Sequence, residues 1–217
     1  MMKTGLLALL ACLCLTRLGP EAQAGEVRVL ALGDSLTAGY GLPARAALPA
    51  VLEDMLKAEG LAVRIINAGV SGNTTADGRA RLGRYLADPP QACILALGAN
   101  DALRGQDPAQ AEANLAAILE ELARHGVKTL LVGWEATPDW GRSYAERFNA
   151  IYPRLAARFG LDLYPSILAG VMGDPRLTLD GLHPTPQGVR VMARGIQPQV
   201  RRLVLAVQGL PAPRPDR

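Results

Sequence analysis

The feature of this sequence that most constrains its fold is a regular alternation between short apolar runs and longer amphipathic stretches. The apolar runs do not alternate with polar residues, which is typical of strands buried on both faces of a sheet. They cover residues 27–32, 62–66, 92–97 and 127–132, with a weaker fifth run at 161–163. Amphipathic stretches of helical length lie near residues 46–59, 75–87, 109–125, 143–159 and 186–206. The alternation predicts an α/β fold, a three-layer α/β/α sandwich around a five-stranded parallel sheet.

Residues 1–24 have the pattern of a secretory signal peptide. Lys3 supplies the positive start, and residues 5–15 form an apolar run that is too short to span a bilayer. Ala22-Gln23-Ala24 then provides a small-x-small cleavage site. We therefore expect this segment to direct export across the inner membrane, with the periplasm of a Gram-negative host as the destination. Two other interpretations stay open: a buried first helix and a lipoprotein signal that modifies Cys12.

One globular domain follows the signal segment. The chain has 217 residues, of which 49% are hydrophobic and 20% charged, and this suits a single domain whose core needs no disulfides. We expect the domain to cover 25–207 and residues 208–217 to form a disordered tail. Removal of Cys12 and Cys14 with the signal leaves Cys93 alone, so no disulfide can form within the mature chain. Cys93 lies in an apolar run and is expected to be a buried small hydrophobic residue rather than a nucleophile.

Charge and composition argue against several classes of partner. Lys and Arg number 23 against 20 Asp and Glu, and aromatic residues make up 4% of the chain. Neither value favours nucleic-acid binding. The sequence has no Cys/His cluster for a metal and, after the signal, no apolar stretch long enough to cross a bilayer. We expect no cofactor, no metal, no nucleic acid and no stable membrane insertion, and we expect a monomer or a weak oligomer.

Polar residues concentrate at the predicted carboxyl ends of the strands, which is where parallel α/β sheets bind ligands. The segments are Gly33-Asp34-Ser35-Leu36, Val70-Ser71-Gly72-Asn73-Thr74, Gly98-Ala99-Asn100-Asp101 and, near the C-terminus, Asp180-Gly181-Leu182-His183-Pro184. Each has an ordinary explanation on its own, such as a helix N-cap for Ser35 or a turn for Gly72. Together they provide a hydroxyl at a strand-to-helix elbow, amide donors from two loops, and an Asp and a His three residues apart. These are the parts that an acyl-transfer site needs.

The histidines support the same site. The sequence contains two of them, His125 and His183. His125 precedes Gly126 at a predicted helix C-terminus, where a cationic side chain complements the helix dipole. That helix end belongs to the edge of the sheet opposite the strand ends described above. His183 is therefore the expected base.

In their order and spacing, these four segments resemble the sequence blocks of the SGNH, or GDSL, hydrolases, and the resemblance extends over essentially the whole predicted domain. It implies a flavodoxin-like fold and hydrolysis of small acyl or aryl esters, or thioesters, without a cofactor. It implies that Ser35 is the nucleophile, that His183 is the base and that Asp180 orients the base. The implied oxyanion donors are the backbone N–H groups of Ser35 and Gly72 and the side-chain amide of Asn100.

Other segments bear on the substrate. Leu103-Arg104-Gly105 and Phe148-x-x-Ile151-Tyr152-Pro153 resemble a bacterial periplasmic subgroup with thioesterase, arylesterase and lysophospholipase activities. Residues 134–141 are bulkier and more polar than expected of that subgroup, so the preferred acyl length stays open. We assign no catalytic role to Asp34 or Asp101.

Two other functions stay open at this point. A carbohydrate O-deacetylase on the same fold would need a shallow polar cleft, whereas several bulky side chains favour acyl or aryl esters. These side chains are Leu36, Leu103, Trp134, Pro138 and Trp140. A non-catalytic flavodoxin-like binding module would use Ser35-Leu36-Thr37 to cradle a phosphate. That scheme leaves Asn100 and the Asp180–His183 pair without a purpose.

Overall fold

The computed structural model describes residues 25–211. The predicted signal over 1–24, which contains Cys12, lies outside the described residues, as do residues 212–217 of the predicted tail. Within the described part, the last helix ends at Val207, which is also the predicted end of the domain.

Five parallel strands form a single sheet. In chain order they are β1 (Val27–Gly33), β2 (Val63–Gly69), β3 (Ala92–Ala96), β4 (Lys128–Val132) and β5 (Asp162–Tyr164). Their spatial order is β2-β1-β3-β4-β5 and every neighbouring pair is parallel, which confirms the predicted sheet. The chain places β2 on one side of β1 and then β3 on the other side. The carboxyl ends of β1 and β3 therefore flank the crevice in which this class of sheet binds ligands.

Helices cover both faces of the sheet. The described residues contain α1 (Ser35–Ala38), α2 (Leu48–Ala58), α3 (Thr75–Leu86), α4 (Ala99–Leu103), α5 (Pro108–Arg124), α6 (Arg142–Asn149), α7 (Ile151–Phe159) and α8 (Pro186–Val207). Helices α2 and α8 pack on one face, and α3, α5 and α7 pack on the other, which confirms the three layers. None of the helices within residues 25–211 has the length and apolar character needed to cross a membrane.

The structure departs from the sequence prediction in a few elements. The single helix predicted over 143–159 is two helices, α6 and α7, which meet at Ala150. The cause is Pro153, which has no N–H to donate to the carbonyl of Asn149 and whose ring would clash with a continuous helix. Strand β2 alternates buried and exposed residues because it lies at an edge of the sheet. The short helices α1 and α4 are not predicted, since four or five residues carry too little periodicity.

The core lies at the centre of the sheet. Strand β3 is buried along its whole length, and the leucines on the three central strands are almost inaccessible to solvent. Cys93 on β3 is also fully buried, and this burial raises the pKa of its thiol to about 12. This confirms Cys93 as a small hydrophobic residue of the core.

Candidate active site

The first loop of the site begins where β1 ends. Asp34 is the N-cap of α1, because its carboxylate accepts a hydrogen bond from the Leu36 N–H at 3.0 Å. The explanation of Ser35 as a helix cap is therefore wrong, and its hydroxyl is available to another partner. Gly33 allows the tight return of the chain, since a Cβ at this position would overlap the Thr37 hydroxyl.

The histidine comes from a short loop before α8. Nε2 of His183 lies 3.0 Å from Oγ of Ser35, and Nδ1 lies 2.7 Å from Oδ2 of Asp180. The carboxylate can only accept, so Nδ1 carries the proton and Nε2 is the acceptor for the Ser35 hydroxyl. The Leu179 N–H donates to the His183 carbonyl at 2.6 Å and closes the loop. The Tyr40 ring packs on the imidazole with 4.4 Å between ring centroids.

The loop also fixes the charge of Asp180. Its Oδ1 accepts hydrogen bonds from the backbone N–H groups of His183 at 2.8 Å and Leu182 at 3.0 Å. These bonds, the one from the His183 backbone above all, lower the pKa of Asp180 to about 2. Asp180 therefore stays ionised at neutral pH, and the 48% exposure of its side chain to water favours the same charged form.

The second loop is a turn over residues 70–73. The Asn73 N–H donates to the Val70 carbonyl at 3.1 Å, and Gly72 occupies the third position with φ +80°. That position of a type II turn needs a positive φ, which glycine adopts at low cost. The Arg104 guanidinium donates to the Gly72 carbonyl at 2.7 Å and anchors the turn from the opposite side.

The third loop presents Asn100 on α4. Its Nδ2 donates to the Asn73 carbonyl at 3.0 Å and lies 3.4 Å from Oδ2 of Asp34. Gly98 is the N-cap of α4; its φ is +125°, and an added Cβ would overlap the Tyr152 hydroxyl. This hydroxyl donates to the Leu97 carbonyl at 3.0 Å, so β3 and α7 together set the position of the loop.

Two buried carboxyl groups support these loops. Asp101 accepts hydrogen bonds from the Thr75 N–H at 2.8 Å and the Thr75 hydroxyl at 2.6 Å, which ties α4 to the start of α3. Burial raises the pKa of Asp101. Burial also raises the pKa of Asp34 to about 6, although the Leu36 N–H and the nearby His183 act in the opposite direction.

The three loops and the histidine loop meet at one cleft of about 250 Å³. Four of the five predicted site residues line it, namely Ser35, Gly72, Asn100 and His183. The fifth, Asp180, contacts the side of His183 that faces away from Ser35. The remaining lining is largely apolar and includes Leu36, Tyr40, Leu103 and Leu182.

Two of the five bulky side chains that favour acyl or aryl esters, Leu36 and Leu103, line the cleft. Trp134, Pro138 and Trp140 of the segment after β4 are not among its lining residues. Trp134 is 4% exposed and borders a separate cavity of about 10 Å³ together with Asp34. Trp140 stacks on Trp134 with 5.3 Å between ring centroids. Trp134 is therefore part of the core, whereas Trp140 covers it from the surface and is 40% exposed.

His125 lies away from the site, as predicted. It is the C-cap of α5, where Nδ1–H donates to the Glu121 carbonyl at 2.9 Å. Strand β4 starts three residues later, so His125 lies at the amino edge of the sheet. In the part of the chain that the structure describes, no group of three or more His, Cys, Asp or Glu side chains is arranged to hold a metal ion.

The sequence analysis does not single out two residues next to the site, Tyr40 and Arg81. Arg81 donates to the Gly33 carbonyl at 2.8 Å and to Oδ1 of Asn73 at 2.7 Å. Arg81 follows the buried Gly78 by three residues and so lies on the inner face of α3, but this burial is visible only in the structure. No sequence pattern marks Tyr40 either.

Comparison with known proteins places the chain in a family. The model of the GDSL-like lipase/acylhydrolase family matches residues 31–191. Esterase TesA of Pseudomonas aeruginosa is 36% identical over 199 residues, which cover 91% of this chain and 99% of the relative. Thioesterase 1/protease 1/lysophospholipase L1 of Escherichia coli K12 is 37% identical over 178 residues, which cover 81% of this chain and 84% of the relative.

Solved structures agree with the sequence matches. The crystal structure of TesA superposes with a TM-score of 0.77 at 36% identity, covering 81% of this chain and 99% of that chain. AlinE4, an esterase of the SGNH-hydrolase family, superposes with a TM-score of 0.69 at 44% identity, covering 82% of this chain and 96% of that chain. These matches confirm the resemblance that the four sequence segments carry. The chain belongs to the GDSL-like lipase/acylhydrolase family.

Proposed function

We propose that this protein hydrolyses carboxylic esters or thioesters through an acyl-enzyme formed on Ser35. The observation that carries the proposal is the hydrogen-bond chain from Asp180 through His183 to Ser35, which ends in an apolar cleft. Membership of the family supports the class of reaction. The relatives named above are an esterase and a thioesterase/lysophospholipase, which supports both ester and thioester substrates.

His183 activates the serine. Oγ of Ser35 attacks the carbonyl carbon while its proton moves to Nε2 of His183. The bond to the leaving alcohol or thiol then breaks, and His183 gives the proton to the leaving group. Water repeats the sequence on the acyl-enzyme, so that the carboxylic acid departs and Ser35 regains its proton. Asp180, ionised because its pKa is about 2, holds Nδ1–H in place and stabilises the imidazolium.

Three donors stabilise the negative oxygen of the tetrahedral intermediate. They are the N–H groups of Ser35 and Gly72 and one N–H of the Asn100 side chain. The first Nδ2 proton of Asn100 is used by the Asn73 carbonyl at 3.0 Å, while the 3.4 Å contact with Asp34 is long for a hydrogen bond. The second proton therefore has a weak partner that a developing oxyanion can replace.

The cleft favours acyl and aryl groups over sugars. Leu36, Tyr40, Leu103 and Leu182 present apolar surface beside the proposed nucleophile. An acetylated sugar would instead need polar partners for its hydroxyl groups. Esters of p-nitrophenol with rising acyl length, assayed beside acetylxylan, separate the two classes. Faster hydrolysis of acetylxylan would favour the carbohydrate O-deacetylase.

A fluorophosphonate probe tests the proposed nucleophile directly. The purified protein, the Ser35→Ala variant and the His125→Ala variant are each treated with the probe and weighed intact. We expect one adduct on the wild-type protein and on His125→Ala, and none on Ser35→Ala. A folded wild-type protein without an adduct would contradict the proposal and favour the non-catalytic binding module.

We also propose that residues 1–24 export the protein to the periplasm and that it acts there as a monomer or weak oligomer. The mass of the protein recovered from a periplasmic fraction tests the first point. We expect a chain that begins at Gly25. An uncleaved chain confined to the cytoplasm would contradict export, and a lipidated chain that begins at Cys12 would contradict cleavage before Gly25. Light scattering during size-exclusion chromatography tests the second point, and a stable larger assembly would contradict it.

A further inference from the structure

Arg81 on α3 is a buried cation between two loops of the proposed site. It is 7% exposed. Its Nε donates to Oδ1 of Asn73 at 2.7 Å and its Nη2 donates to the Gly33 carbonyl at 2.8 Å. Nη1 is buried and has no hydrogen-bond partner within residues 25–211. The direct partners of the guanidinium in this part of the chain are therefore neutral oxygen atoms and no carboxylate.

Packing alone does not account for such a residue. Burial lowers the pKa of the Arg81 guanidinium, while Tyr85 and Asp77 act more weakly in the opposite direction. A buried charge without a paired carboxylate destabilises a fold, and an apolar side chain of similar size is often the more stable choice. The position therefore calls for a reason other than stability.

The contacts of Arg81 connect the loops that carry the proposed oxyanion donors. The Gly33 carbonyl lies two residues before Ser35 and also accepts the Val70 N–H at 3.1 Å. On the other side, the backbone carbonyl of Asn73 accepts Nδ2 of Asn100 at 3.0 Å. One planar guanidinium thus links the Ser35 loop to the turn over residues 70–73. The same turn orients Asn100 through the Asn73 carbonyl.

We propose that Arg81 is a positioning residue that holds the three oxyanion donors at the spacing needed by the tetrahedral intermediate. The inference rests on the proposed function. The donors must fit the oxyanion of the transition state better than they fit the carbonyl oxygen of the bound substrate. Displacement of the donors therefore raises the free energy of the transition state more than that of the bound substrate. Loss of the link therefore lowers kcat and leaves KM nearly unchanged.

The variants Arg81→Met and Arg81→Lys test this inference, with Arg84→Met as the control because Arg84 is exposed on the same helix. We expect kcat for a p-nitrophenyl ester to fall about 100-fold in Arg81→Met, as for a small displacement of catalytic groups, with KM within about threefold. Arg81→Lys keeps the positive charge but cannot donate to both loops through one planar group, so we expect a kcat between those of Arg81→Met and the wild type. Arg84→Met should match the wild type.

An inhibitor that forms an oxyanion gives a readout that a change in folding alone would not move. The serine Oγ attacks the carbonyl carbon of an aryl trifluoromethyl ketone, and the carbonyl oxygen of the adduct becomes an oxyanion. The corresponding non-fluorinated alcohol has no carbonyl group and forms no oxyanion. We expect Arg81→Met to lower the affinity for the ketone by about the same factor as kcat and to leave the affinity for the alcohol unchanged. Equal weakening of both compounds, or an unchanged kcat per active site, would overturn the inference.

Asn73→Ala provides a second variant in case Arg81→Met does not fold. It removes the side-chain acceptor of Arg81 from the turn and should also lower kcat with little change in KM. An unchanged kcat in Asn73→Ala would overturn the inference. Failure of the proposed function is distinct from either result, because in that case the wild-type protein itself would show no esterase activity and no fluorophosphonate adduct.

Discussion

Asp34 should make the protein less stable as the pH rises from about 4 to 6. This carboxyl is 2% exposed, and burial raises its pKa from the ordinary value of 3.8 to about 6. Between these two pH values the folded state holds a proton that the unfolded chain has released. Stability therefore falls with increasing pH across this window, and the full cost is present above pH 6.

The size of this cost follows from the two pKa values. Their difference corresponds to about 3 kcal/mol in the free energy of unfolding. Asp34→Asn removes the titration and keeps a carbonyl oxygen for the Leu36 N–H. The free energy of unfolding of the variant, minus that of the wild type, should therefore rise by about 3 kcal/mol between acid and neutral pH.

Urea denaturation at a series of pH values between about 3.5 and 7.5 measures this difference. Asp88→Asn serves as the control, because it removes one carboxylate from the surface, where the Asp88 side chain is 82% exposed. A difference for Asp34→Asn that stays constant with pH, or falls as the pH rises, would refute the reasoning. Such a result would mean that water or local movement solvates the Asp34 carboxylate in the folded protein.

Three further outcomes concern the site. Asn100→Ala should lower kcat about 100- to 1,000-fold with an unchanged circular dichroism spectrum, as for other single oxyanion donors, and a tenfold loss or less would place the donor elsewhere. Asp180→Asn should lower kcat about 10⁴-fold in steady-state assays while fluorophosphonate labelling slows in parallel. Gly98→Ala should lower the melting temperature because its Cβ overlaps the Tyr152 hydroxyl, and adding Tyr152→Phe should recover part of the loss. Full stability of the Gly98→Ala protein would contradict the close packing of that loop.

The sequence predicts most of this fold because the sheet is buried on both faces. The strands of its centre appear as uninterrupted apolar runs, and the rule that ligands bind at the carboxyl ends of parallel strands then brings Ser35, Gly72 and Asn100 together. Four of the predicted site residues line one cleft, and the fifth, Asp180, contacts His183, because each belongs to a short loop at that edge.

The remaining features depend on contacts that local sequence does not encode. Arg81 and the Gly33 carbonyl are 48 residues apart, and their contact exists only once β1 and α3 are packed. The stacking of Trp140 on Trp134 likewise forms only once the segment after β4 has folded, and neither ring is among the residues that line the cleft. The role of Asp34 as N-cap is visible only when the start of α1 is known, because Asp34 and Ser35 are both good capping residues.

Asp180 and His183 lie three residues apart in one loop, and Ser35 is 148 residues away from His183. The proposed base and its carboxylate therefore come together through local chain geometry. The proposed triad needs only one long-range contact, whereas a triad built from three separate segments would need two. A displacement of this loop moves Asp180 and His183 together. The tautomer and basicity of the imidazole are then preserved while its distance from the serine changes. Within the proposed triad, the one distance that such a displacement changes is the distance between the histidine loop and the end of β1.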